Sequence, residues 1–66
     1  MKYSVEYEIV RYDIGYITPS GKHIPGESFF QEEQAVEFAL KYRKAHPEVV
    51  VNIYRIERAV VIEEEK

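Results

Sequence analysis

One short stretch of this chain holds side chains whose types could do chemistry. Residues 15–22 read GYITPSGK, which invites comparison with a phosphate-binding loop. That loop needs four residues between its glycines and then Lys-Ser/Thr at the start of a helix. Here five residues separate Gly15 from Gly21, His23 follows Lys22, and Pro19 removes an amide from the cradle. The spacing excludes the phosphate loop. Ser20 and His23 flank the same turn, but a nucleophile–base pair also needs an orienting group, an oxyanion site and a pocket. Asp13 could approach His23 across a hairpin, giving at most a weak metal site or a pH-sensitive contact. His46 sits where a helix C-terminus is expected and reads as a partner of the helix dipole. No catalytic residue, cofactor site or metal site is assigned, and an enzyme is not expected.

The remaining chemistry is adhesive. Six tyrosines are spread over a 66-residue chain. Tyr3, Tyr7 and Tyr42 suit a core between sheet and helix, while Tyr12, Tyr16 and Tyr54 suit an open sheet face or a hairpin. Aromatics on an open sheet with Arg11, Arg55 and Arg58 nearby could stack single-stranded nucleic acid. Tyrosine and arginine are equally the preferred anchors of protein interfaces. The charge balance, 12 acidic against 9 basic residues and a net −3, favours the second use. A duplex DNA binder normally carries a basic field.

Size constrains what must position these side chains. Chains this short bury only about 60% of their unfolded surface, so a staple is usually required. There is no cysteine for disulfides or thiolate metal sites, which leaves oligomerisation or a permanent partner. No apolar run reaches the roughly 20 residues of a membrane span, and no signal-peptide pattern is present. A cytoplasmic protein without membrane contact is the expectation.

The elements follow from periodicity. In YSVEYEIVRY, residues 3–12, Tyr3, Val5, Tyr7 and Ile9 alternate with polar residues, which predicts a strand with odd positions facing the core. The strand could continue to 18, with a bulge near Gly15. Thr18-Pro19-Ser20-Gly21 has proline and glycine where a type I turn wants them, predicting a reversal at 19–21. Residues 22–30 then form an irregular strand, because Pro25 cannot donate to a ladder. Residues 31–46 read as an amphipathic helix burying Ala35, Val36, Phe38, Ala39, Leu40 and Tyr42. Ser28 and Gln31 match a capping box, and Pro47 ends the helix. Residues 49–58, extending to 62, form a strand apolar on both faces, with a frayed acidic tail at 63–66.

The order β-β-α-β with short connections gives a single α+β domain. Its sheet has three strands in order 2-1-3, mainly antiparallel, with one helix packed on one face. The open face would carry Val10, Tyr12, Val50, Tyr54 and Ile56, and Arg58, Val60 and Ile62 lie where the last strand could outrun its neighbour. These eight residues are the interface candidates, since exposed apolar patches and unpaired edges attract partners. Tyr16, Lys22, His23 and Ile24 are candidates for a loop contact. The expected function is a small non-enzymatic interaction module, a homodimeric regulator or inhibitor that occludes a partner protein. Small acidic proteins of that class are common among phages and mobile elements. The alternatives are single-stranded nucleic-acid binding through Tyr12, Tyr54, Arg55 and Arg58, and a small-ligand site at a dimer interface.

Overall fold

A computed structural model of the chain describes residues 2–64. Strand β1 spans Lys2–Ile17, β2 spans His23–Phe29, helix α1 spans Glu32–Ala45 and β3 spans Val50–Glu64. The sheet is antiparallel with order β2-β1-β3 and α1 on one face, so the expected α+β architecture is present. Of the tail expected to fray, Glu63 and Glu64 instead close β3 by pairing with Tyr3 and Lys2. Glu65 and Lys66 lie outside the described residues. Nor does β3 outrun its neighbour, since β1 pairs with it along its whole length.

The reversal follows its turn chemistry. The Gly21 N–H donates to the Thr18 carbonyl at 2.8 Å, and Gly21 adopts φ 86°, where a side chain would be strained. The Thr18 hydroxyl contacts Ser20 Oγ at 2.9 Å and accepts the Lys22 N–H at 3.1 Å. The helix starts at Gln31 without a side-chain cap. Ser28 is not a cap: its hydroxyl donates across the sheet to Asp13 Oδ1 at 2.7 Å. Glu32 and Glu33 in the first turn, and Arg43 and Lys44 in the last, match the helix dipole.

The core is small: Tyr12, Ile14, Ala35 and Ala39 are buried, with Phe29, Phe38, Tyr16, Val51 and Ile53 packed around them. The two alanines let the helix axis approach the sheet closely. Aromatic contacts tie α1 to both β1 and β2. Phe29 and Phe38 have ring centroids 5.4 Å apart, and Tyr16 and Tyr42 are at 4.4 Å. The buried stripe is narrower than the periodicity suggests. Leu40 is 58% exposed and Val36 is 39% exposed, so neither belongs to the core as expected.

One irregularity decides which residues reach that core. Ile9 pairs with Glu57 and Arg11 with Ile56, so Val10 is an extra residue in β1, a bulge. Directly opposed residues share a face, and the bulge shifts the alternation of β1 by one. Tyr3, Val5, Tyr7 and Ile9 therefore lie on the same side as Tyr12, Ile14 and Tyr16. Tyr12 is thus a core residue and not part of an open face.

Length sets the final shape. A 14-residue helix is about 21 Å long, while a 16-residue strand reaches about 53 Å. The helix and β2 cover only the half of the sheet from Tyr12 to Ile17. Residues 2–9 and 57–64 continue as a bare two-stranded ribbon. The molecule measures 57 × 24 × 12 Å with a radius of gyration of 16.8 Å, against about 11 Å for a compact domain of this length.

Candidate functional site

The even-numbered residues of β3 form one row on the helix-free face. Val50, Tyr54, Ile56, Arg58, Val60 and Ile62 alternate outward there, opposite Ile17, Asp13, Arg11, Glu8, Glu6 and Ser4. Six of the eight interface candidates are thus brought together. Of the other two, Val10 is half-buried at the bulge and Tyr12 is in the core.

The row has a concave feature beside Tyr54. The Tyr54 ring lies across Gly15, so close that a Cβ there would sit 2.6 Å from Tyr54 Cε2. Beside the ring is an open groove of about 410 Å³, lined by Tyr54, Ile56, His23, Ile24 and Pro25 together with Asp13–Tyr16. His23 and Ile24, expected as loop contacts, therefore meet Tyr54 and Ile56. Lys22 stays exposed in the turn, and Tyr16 turns toward the helix. The Tyr16 hydroxyl donates to Glu27 Oε1 at 3.3 Å. Desolvation, then the Glu27 charge and its hydrogen bond, push the Tyr16 phenol up to about 12.

Three of the surface arginines are paired locally. Arg11 Nε contacts Asp13 Oδ1 at 2.9 Å, Arg55 Nε contacts Glu57 at 2.9 Å, and Arg58 contacts Glu8 directly across the ladder. The Ser28 hydroxyl, above all, holds the Asp13 carboxyl below its ordinary range; desolvation opposes it and Arg11 assists. Asp13 is thus engaged by Ser28 and Arg11, and Ser20 by Thr18. Neither is joined to His23, so the sequence's chemical candidates do not assemble into a nucleophile–base pair. Among the described residues no group of three His, Cys, Asp or Glu side chains is placed to hold a metal ion.

A second surface was hidden from sequence reasoning. Tyr3 (68% exposed), Val5, Tyr7 (71%), Ile9 and Val61 stand on the helix side of the ribbon with nothing over them. They read as core because they alternate as core does. The signal that could have found them is length, since a helix of about 21 Å cannot cover a strand of about 53 Å.

Ala59 lies between Tyr7 and the open edge on this face, and Glu57 and Glu63 close its two ends opposite Ile9 and Tyr3. No helix among the described residues is long and apolar enough to cross a membrane. Comparison of the chain with family models, curated proteins and solved structures gave no match.

Proposed function

We propose that this chain is a non-enzymatic protein-interaction module that works as a homodimer and acts by occluding a partner protein. One observation carries the reading: the chain exposes far more surface than its mass warrants. Its accessible area is 5540 Å², against roughly 4,400 Å² expected for a folded monomer of 7.8 kDa. The difference, about 1,100 Å², exceeds the roughly 800 Å² that one partner contributes to a standard interface. Much of what is exposed is tyrosine, valine and isoleucine, the material of interface cores.

The nucleic-acid alternative draws less support. Its stacking tyrosine Tyr12 is buried, and Arg55 and Arg58 are each engaged by a carboxylate. Phosphate would have to compete with those partners.

The test has two parts. Sedimentation at tens of micromolar should give twice the 7.8 kDa mass of one chain. Immobilised wild-type chain should retain a single host protein at near-equal stoichiometry, and Tyr54→Glu, which places a charge in the groove, should lose it. A monomer that retains nothing, or a retained species eluted by nuclease, overturns the reading.

A further inference from the structure

We infer that a second copy of this chain packs on the helix side of the ribbon, covering Tyr3, Val5, Tyr7, Ile9, Ala59 and Val61. The inference rests on the homodimer reading above and adds where the two copies meet and which face stays free.

A two-stranded ribbon is marginal in water unless another layer covers its apolar face. Residues 2–9 and 57–64 form such a ribbon, yet pair without interruption over their whole length. In the other half of the sheet, α1 supplies the covering layer for Tyr12, Ile14 and Tyr16. The bulge at Val10 places the ribbon's apolar residues on that same side, so the missing layer belongs in line with the helix.

The two ribbon faces differ in composition. The helix-free face carries Ser4, Glu6, Glu8 and Arg58 with a cross-strand ion pair, and Val60 and Ile62 are only 36% and 37% exposed. The helix-side face carries Tyr3 at 68%, Tyr7 at 71% and Val61 at 66%, with its acidic residues confined to the two ends. An uncharged centre with a charged rim is the pattern of a lasting interface.

The occupant that fits is a second copy. The excess area, about 1,100 Å² over the whole chain, is enough for one partner's share of a standard dimer, roughly 800 Å². A two-fold axis would set one patch on the identical patch of the other chain, large tyrosines against the smaller Val5, Ala59 and Val61, with Glu57 and Glu63 at the rim. Two sheets stacked this way lie about 10 Å apart with side chains interdigitated. A domain this small without disulfides needs a cover that is always present, and an identical chain is. The Tyr54 groove lies on the opposite face and would stay open for another protein.

Sedimentation of wild type, Tyr7→Glu, Val61→Glu and Tyr54→Glu at tens of micromolar decides the matter. Wild type and Tyr54→Glu should run as dimers, and the two ribbon variants at half that mass. Hydrogen exchange on wild type supplies a readout that survives any misfolded variant. Amides 3–9 and 57–63 should slow as concentration rises, while those of 12–17 change little. A monomeric wild type overturns both this proposal and the homodimer reading. A dimer that withstands both ribbon substitutions, or ribbon amides indifferent to concentration, overturns the assigned face alone and leaves the homodimer standing.

Discussion

Tyr54 and Tyr16 each rest on a glycine, on opposite faces of the sheet, and the two seats differ in how firmly the ring is held. A Cβ at Gly26 would sit 2.6 Å from Tyr16 Cε2 and 3.1 Å from the Ile14 carbonyl oxygen, whereas at Gly15 it meets only the Tyr54 ring. Tyr54 can swing into solvent; Tyr16 is held by Tyr42 and Glu27. Gly26→Ala should therefore cost about 1–3 kcal/mol, as overpacking does, and Gly15→Ala less than 1 kcal/mol. Urea unfolding of both variants checks the order. Tyr16 also gives a pH prediction. Its folded pKa lies above the ordinary 10.0, at about 12, so its contribution to stability is complete below pH 10.0 and is lost as pH rises through about 12. Tyr16→Phe should flatten that alkaline decline in thermal melts between these values, and an unchanged decline would show that Tyr16 is not its source. The tyrosines themselves were visible in the sequence. Their seats were not, because nothing local to Gly15 or Gly26 says which ring will cross it.

Elements governed by local rules were legible, and those governed by pairing were not. Pro19-Ser20-Gly21 dictates its turn, and the 3.6-residue period of 31–46 dictates its helix to within a residue at each end. The phase of β1 is different. Val10 and Tyr12 are both apolar, so either set of positions could have faced the helix, and only pairing with β3 reveals the bulge between them. The bulge yields a paired prediction. Deleting Val10 removes the unpaired residue and leaves every cross-strand partner in place, so Tyr3 to Ile9 stay on the helix side. Inserting one alanine between Ile56 and Glu57 gives Val10 a partner and turns that whole row to the other face. The deletion should keep the dimer and the insertion should dissolve it. Sedimentation that shows the same mass for both variants would remove the bulge from the explanation.

At the scale of the whole molecule, extension and charge act against each other. A chain of net charge −3 that pairs with itself doubles its charge and brings the acidic rims of two ribbons together. Apolar burial must outweigh that repulsion. Added salt screens it, since the Debye length is about 10 Å at 0.1 M and about 3 Å at 1 M. Sulfate also strengthens apolar association. The dimer should therefore tighten as salt rises, and because mass action links association to stability, the melting temperature should rise with protein concentration at every salt level. A nucleic-acid complex behaves in the opposite way, losing affinity steeply with salt as counterions cease to be released. One titration thus separates the two readings. Self-association measured across a salt series should strengthen, and retention of single-stranded oligonucleotides across the same series should stay negligible. Self-association that weakens with salt would place the contact on ion pairs such as Arg58–Glu8 exchanging between copies, and would count against the uncharged ribbon face as the place where they meet.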